Sequence, residues 1–263
     1  MSESNLSLTR RQLIQAGGVY MGLGPDVSLY PANETTLLEL CLDSALRSFY
    51  NPVPIPGETT PHVWSFLTPI YDVPITSAAV DYNLPDDFAH FVDSRIYLSA
   101  DSDSWQEIKL ANVSRILSLR QRDTSVVSGF PMYAAQAVRQ QQQGAPTRFK
   151  LMVWPNPDGD YTLRFQYRSN PFQITDDSWY PLGGQPHAET LREAMLAAVE
   201  RDVDEVVGHH NQMFLARLIA SVAEDRRATG PEYFGYNADR SRTTRIFDRL
   251  GTNIVTINGI TPD

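Results

Sequence analysis

Two adjacent histidines, His209 and His210, follow an acidic cluster and are the most evident candidates for metal chemistry in this sequence. The carboxylates just upstream belong to Asp202, Asp204 and Glu205. Neighbouring residues on a helix point about 100° apart, whereas a helical metal site typically places its two histidines at i and i+4 on one face. The spacing therefore favours a polar turn between two helices, and we expect neither a metal nor a cofactor.

Paired carboxylates occur at Asp86–Asp87 and at Asp176–Asp177, and two such groups can act as general acid and general base. Each pair falls where a loop or strand end would leave the charges solvated. The glycines from 17 to 24 lack the preceding strand that a dinucleotide-binding loop requires, and the sequence contains no nucleophile elbow. We therefore predict no catalytic residue and no enzymatic activity.

The pair Arg10–Arg11 near the N-terminus allows two interpretations. A twin-arginine export signal needs an unbroken apolar segment after the arginines, and Gln12 and Gln15 interrupt that segment. A helix explains the same residues better, because Thr9 and Gln12 have the spacing of a capping box. We predict a short helix that begins after Thr9 and ends at Gly17–Gly18.

The composition is that of a globular chain, since 42% of its 263 residues are apolar and can fill a substantial core. No apolar run approaches the roughly 20 residues of a membrane span, so we expect no membrane insertion. The formal net charge of -9 argues against a surface that grips nucleic acid, since phosphate binding needs clustered cations. The only cysteine, Cys41, is expected to be a buried and inert thiol.

The elements that would position these residues change type twice along the chain. Apolar residues recur at helical spacing within 38–49, and a proline-rich segment at 52–61 then stops regular helix. From about 62 to 179 the residues favour strands, and the clearest signal is a hairpin made of 148–154 and 161–167. The second arm alternates apolar and polar residues, which predicts one buried face.

Helical spacing returns after Pro186. One apolar face runs from Leu191 to Val206 and a second from Leu215 to Ala223, with Gly208–Asn211 as the expected connection between two helices. The sequence therefore predicts helices on both sides of a β region.

The segment after Pro231 has no periodic core pattern but is rich in aromatic residues and arginines. Such side chains offer anchors and directional polar contacts to a partner. An isolated chain gains little by ordering so many residues without a core, so we expect a partner to order them. The alternative is that this segment wraps around its own domain.

Six phrases distributed along the chain resemble bacteriophage head-to-tail adaptor (connector) proteins. They are LTRRQLIQAGGVYMG, LDSALRSFYNP, HVWSFLTPI, YNLPDDF, YPLGGQPHAETL and GYNADRS. The resemblance implies an α+β fold with a discontinuous helical bundle from 1–50 and 186–230. A mainly antiparallel β domain at 51–185 would be inserted in the bundle, and 231–263 would form an extended C-terminal docking tail.

The same resemblance implies a structural virion protein at the head-tail junction, assembled in the host cytoplasm. Its expected partners are the portal protein above, tail or nozzle proteins below, and other copies of itself in a dodecameric ring. The ring would extend the DNA channel, and DNA would pass through its lumen without specific binding. The residues expected to contact the portal or a neighbouring subunit are Tyr236, Arg240, Arg242, Arg245, Phe247 and Arg249.

Two alternatives remain open. One is another tail-completion ring, a stopper or a tail terminator. The other is a carbohydrate-binding accessory tail protein that holds sugar on Trp64, Trp105, Trp154 or Trp179. Exposed, coplanar tryptophans beside carboxylates would favour the second alternative, and buried tryptophans would argue against it.

Overall fold

The chain folds into helices packed beside a β-sheet, and the predicted α+β class is confirmed. Almost all of the residues described belong to one compact unit, Met1–Arg226, which is separate from Arg227–Asp263. The structure is a computed structural model that describes residues 3–77, 79–100, 105–122, 127–140, 143–144 and 146–229.

Five α-helices and eight β-strands lie within these described residues. The helices are α1 (Arg10–Tyr20), α2 (Ala32–Tyr50), α3 (Val113–Arg122), α4 (Ala188–Val203) and α5 (His209–Thr229). The strands are β1 (Ile70–Ile75), β2 (Asp81–Asn83), β3 (Phe88–Phe91), β4 (Arg95–Ser99), β5 (Gln106–Leu110), β6 (Tyr133–Gln140), β7 (Arg148–Trp154) and β8 (Tyr161–Ser169).

The start of α1 is the predicted capping box. The Thr9 hydroxyl accepts a hydrogen bond from the Gln12 amide at 3.3 Å, and the Gln12 side chain accepts one from the Thr9 amide at 2.9 Å. Two amides that a helix terminus leaves without partners are thereby satisfied.

The predicted end of α1 at Gly17–Gly18 is wrong, because the helix continues past both glycines. They are buried, and a Cβ at Gly17 would lie 2.7 Å from the Met195 side chain. A Cβ at Gly18 would lie 2.4 Å from the Tyr30 ring. The glycines therefore allow close packing of α1 against its neighbours instead of terminating it.

One hydrophobic core is shared by α1, α2, α4 and α5. Helix α2 packs along α4, α1 packs against both, and α5 contributes three buried side chains. The members on these four helices include Leu13, Ile14, Leu38, Cys41, Leu42, Phe49, Leu191, Met195, Val199, Phe214, Leu218 and Val222.

The expectation that strands begin at about residue 62 is wrong for 62–67. Ser65–Leu67 form a short 3-10 helix, and Trp64 is completely buried in the helical core. The Trp64 indole N–H donates to the Phe49 carbonyl at 2.8 Å. The aromatic character of this segment thus reflects burial against helices, which residue type alone does not distinguish from burial in a sheet.

The sheet has the strand order β1-β8-β4-β5-β6-β7-β2, and β3 pairs with β8 beside this path. Among the described pairings of these strands, β5 and β6 alone run parallel, so the sheet is mixed and not purely antiparallel. The reason is that α3 lies between β5 and β6 in the chain and provides the crossover that a parallel pair needs. Helix α3 packs on β6 and β7 through the buried Ile116.

The predicted hairpin of 148–154 and 161–167 is wrong, although both strands exist. Strand β7 pairs with β6 and β2, whereas β8 pairs with β1, β3 and β4. The alternation predicted for β8 is confirmed, since Leu163, Phe165 and Tyr167 are buried. Arg164 on the opposite face forms a bidentate ion pair with Asp72 of β1.

The sheet is joined to the helices at the end of α2. Arg168 of β8 is buried and donates to the Tyr50 carbonyl at 2.9 Å, and the Tyr50 hydroxyl accepts from the Leu182 amide at 2.8 Å. Burial lowers the pKa of Arg168. Tyr50 therefore binds the last strand of the sheet through its carbonyl and the segment that leads from that strand to α4 through its hydroxyl.

The two predicted C-terminal helices exist, but their boundary and faces differ from the expectation. Residues 204–208 connect them, and α5 begins at His209. Val206 is 55% exposed rather than part of an apolar core face, and Leu215 and Ile219 are also exposed. Helix α5 thus buries one side and leaves a second apolar side uncovered by the described residues.

Candidate functional site

The six residues expected to contact the portal or a neighbouring subunit lie outside the described residues. The candidate site is therefore the part of the described chain that leads into them, the final turns of α5. The six residues are Tyr236, Arg240, Arg242, Arg245, Phe247 and Arg249.

Asp225 is the centre of a polar cluster near the end of α5. It is 5% exposed, and its carboxylate accepts hydrogen bonds from the Ser65 hydroxyl and, at 3.1 Å, from the Ser65 amide. His62 Nε2 lies 2.8 Å from the same carboxylate. The segment between α2 and β1 is therefore fastened to α5 by a buried acidic group.

The next residue along the helix makes a second contact with that segment. Arg226 donates two hydrogen bonds to the Glu58 carboxylate, at 2.5 and 2.7 Å. The planar guanidinium suits this two-point geometry, which fixes direction as well as distance. We call Glu58, His62, Ser65, Asp225 and Arg226 together the α5 clamp.

The charge state of the α5 clamp follows from its hydrogen bonds. Burial by itself would raise the pKa of Asp225, but the hydrogen bonds from Ser65 and His62 outweigh it and leave the pKa below its ordinary value. The hydrogen bonds from Arg226 likewise lower the pKa of Glu58. Both carboxylates are therefore ionised at neutral pH, and the clamp contains charge-assisted hydrogen bonds.

A serine, a histidine and an aspartate lie together here, but their connectivity is not that of a catalytic triad. In a triad the histidine lies between the serine and the acid and accepts the serine proton. Ser65 and His62 instead both bind the Asp225 carboxylate. The arrangement holds two segments together and does not activate the Ser65 hydroxyl.

Sequence reasoning missed the α5 clamp because its parts lie more than 150 residues apart, as the 163-residue separation of His62 and Asp225 shows. A signal was nevertheless present. Asp225 follows the buried Leu218 and Val222 at helical spacing, so it lies on the core-facing side of α5. A carboxylate on a buried face needs partners, because an unpaired buried charge is costly.

His209 and His210 form the first turn of α5 and not the turn between the helices. His210 Nδ1 lies 2.9 Å from Glu193 Oε2, and the His210 amide donates to Glu200 Oε2 at 3.1 Å. Glu200 thus satisfies an amide at the start of α5. Within the part of the chain that the structure describes, no group of three or more side chains is arranged to hold a metal ion.

The two aspartate pairs have structural partners. Asp87 accepts hydrogen bonds from the Tyr167 and Ser169 hydroxyls, and Asp86 pairs with Arg148. These contacts connect the loop before β3 to neighbouring strands.

In the second pair, Asp176 accepts from the Ser178 hydroxyl and amide, and Asp177 pairs with Arg10 of α1. Arg10 also pairs with Glu39 of α2. One of the arginines that suggested an export signal therefore ties α1 to α2 and to the loop after the sheet.

The sequence pattern of the SU10 adaptor protein family, a family of phage head-to-tail adaptors, matches residues 12–235. The chain belongs to the SU10 adaptor protein family. This match confirms the resemblance seen in the sequence, and it runs from α1 through the sheet and α5 into the segment that follows. No curated protein matches the adaptor's sequence.

The adaptor's tryptophans do not form a common platform for a sugar. Trp64 is buried in the helical core, and the Trp105 ring lies under the Arg164 guanidinium at 4.4 Å. Trp154 packs against Tyr133, and Trp179 is 55% exposed. These positions remove the observation that would have favoured the carbohydrate-binding alternative.

None of the adaptor's described helices is both long enough and apolar enough to cross a bilayer.

Proposed function

We propose that this adaptor is a non-enzymatic structural protein that forms a ring beneath the portal, extends the DNA channel and links the portal to the tail. The observation that carries the proposal is the family match over residues 12–235. The part of the chain that begins at Arg227 forms a separate unit, which fits a segment whose role is to bind a partner.

The proposed organisation has three parts. A discontinuous bundle would consist of 1–50 and 186–230, the β domain at 51–185 would be inserted in it, and 231–263 would dock. Two observations support this division. The helical core draws on both ends of the described chain, and a second core gathers side chains from the strands.

Neighbouring copies of the adaptor would close the ring, with the uncovered apolar side of α5 in their interface. Leu215 and Ile219 are 40% and 44% exposed, and the alanines at 216, 220 and 223 lie on the same side. Apolar residues grouped on one helix side are typical of surfaces that bind another protein. A second copy is the occupant that a ring supplies, and a dodecamer is the copy number that we propose.

The C-terminal tail would make the contact with the portal. Its arginines can bind carboxylates in two-point geometry, and its aromatic rings can fill pockets on a partner. These roles are proposed for Tyr236, Arg240, Arg242, Arg245, Phe247 and Arg249.

DNA would pass through the ring without being held. The net charge of -9 disfavours adhesion to phosphate, since cation contacts supply most non-specific affinity for DNA. The finished assembly would lie in the virion at the head-tail junction, after formation in the host cytoplasm, with tail or nozzle proteins on its other side.

Native mass spectrometry of the adaptor mixed with the portal encoded by the same genome tests the proposal. We expect the full chain to add to the portal as a closed ring, and a chain ending at Thr229 to lose that binding while keeping both cores. The retained fold is checked by circular dichroism. If the full chain does not bind the portal but binds a tail protein, the function is that of a stopper or a tail terminator.

A further inference from the structure

The α5 clamp lies directly before the boundary between the two units of the chain. Asp225 and Arg226 are the last clamp residues, and the second unit begins at Arg227. The clamp therefore holds the final residues of the folded unit from which the proposed docking tail departs.

We propose that Asp225 and Arg226, held by Glu58, His62 and Ser65, are positioning residues that fix where and in which direction the docking tail leaves the folded unit. This inference rests on the proposed function, since it assigns the clamp a role in portal binding. It adds to that function a set of described residues within the folded unit.

One contact point would leave the end of a helix free to rotate about it, whereas the α5 clamp provides several. The Asp225 carboxylate binds two groups of Ser65 as well as His62, and Arg226 binds both oxygens of Glu58. Asp225 and Arg226 are therefore fixed in position and in orientation.

A tethered segment binds with an effective concentration that depends on where its tether begins, and a fixed origin restricts the volume that the segment explores. In a ring every copy presents its tail to a symmetric partner, so all origins must have the same geometry. Freeing the end of α5 would add an entropic cost to every docking event.

Glu58, His62 and Ser65 belong to the segment that runs from α2 to β1. The same short segment therefore leads into the sheet and holds the origin of the tail. A displacement of the sheet relative to the helices would move the place where the tail begins.

The test uses the full chain and the variant Glu58→Gln, which removes the charge from the more exposed arm of the clamp. The matched control is Asp72→Asn, which weakens a second bidentate arginine pair, with Arg164, on the sheet. The measurements are portal affinity, thermal unfolding and hydrogen exchange of the amides in the last turn of α5.

We expect Glu58→Gln to speed exchange in the last turn of α5 and to weaken portal binding by at least about threefold, with the unfolding midpoint unchanged. Asp72→Asn should change neither exchange there nor portal binding. The charge swap Glu58→Arg with Arg226→Glu should restore both readouts, because it forms the same ion pair with the charges reversed. A purely local stabilising role would leave portal affinity unaffected by Glu58→Gln.

The inference is overturned if the unaltered chain binds the portal and Glu58→Gln binds it equally well. It is also overturned if the weakened binding is not recovered by the charge swap. If the unaltered chain fails to bind the portal, the proposed function itself fails, which is a different result from failure of the clamp.

Discussion

His187 is a buried titratable residue at the junction of the helices and the loop after the sheet. It is 5% exposed, its ring lies among Phe49, Trp64 and Phe66, and its Nδ1 has no hydrogen-bond partner among the residues that the structure describes. Burial lowers the pKa of His187, against the opposing effect of the carboxylates of Asp225 and Glu224. This single side chain makes the helical core sensitive to acid.

The direction of that sensitivity follows from proton linkage. The folded protein binds a proton at His187 less readily than the unfolded chain does, so the stabilisation is complete above the unfolded pKa of about 6.5 and declines as the pH falls below it. The lowered pKa of Asp225 acts in the same direction at lower pH. Its stabilisation is complete above the unfolded pKa of about 3.9 and is lost as the pH falls through the folded value.

Replacing His187 with phenylalanine should therefore flatten the dependence of stability on pH. The free energy of unfolding of the variant should be about 1 kcal/mol higher near pH 5. The phenylalanine side chain binds no proton on unfolding, and it buries no nitrogen that needs a hydrogen-bond partner. Urea unfolding near pH 5 and near pH 7.5 measures the difference. An unchanged pH dependence in His187→Phe would show that other groups control it.

At the scale of elements, the local patterns predicted faces better than partners. The alternation in β8 identified its buried face. It did not identify the partners of β8, which are the distant strands β1, β3 and β4 and not the preceding strand β7. Pro74 lies within β1, where proline is unfavourable unless the strand lies at an edge of the sheet, as β1 does. Pairing between distant strands leaves no periodic signal in either one.

The same limit applies to the candidate site. The capping box of α1 was predictable because it depends on residues three apart. The α5 clamp was not, since Glu58 and Arg226 are separated by 168 residues. The glycines of α1 were misinterpreted because a helix end and a close helix contact both select glycine.

Close approach at Gly18 predicts a strong effect of one methyl group. Gly18→Ala should lower the free energy of unfolding by about 1–3 kcal/mol, despite the better helix propensity of alanine. The new Cβ would displace the Tyr30 ring, whose hydroxyl donates to the Gly24 carbonyl at 2.6 Å. Chemical denaturation measures the loss, with Val19→Ala at an exposed site of α1 as the control. Equal stability of the two variants would show that the Tyr30 ring moves aside freely.

At the scale of the whole molecule, the side of α5 that the described residues leave uncovered is where the proposed ring assembly can be separated from folding. Leu215 and Ile219 are exposed, so their replacement leaves the core of the subunit intact. The same positions would be central to a contact between copies, where a few side chains supply most of the binding energy.

The double variant Leu215→Asp and Ile219→Asp should therefore keep the fold and weaken self-association at least about tenfold, or about 1.4 kcal/mol. Sedimentation velocity measures the change, and circular dichroism confirms the fold. Leu29→Asp, at an apolar residue that is 77% exposed elsewhere on the surface, is the control. Association that survives the double variant would place the interface on another face.

Tyr50 has a further consequence through its two contacts at the end of α2. Its carbonyl receives Arg168 from the sheet, and its hydroxyl receives the Leu182 amide from the returning chain. Loss of order in the strands would expose the buried Arg168 and remove a partner of the last turn of α2. The helical and sheet cores are therefore expected to melt in one cooperative transition, and a single calorimetric peak should represent both.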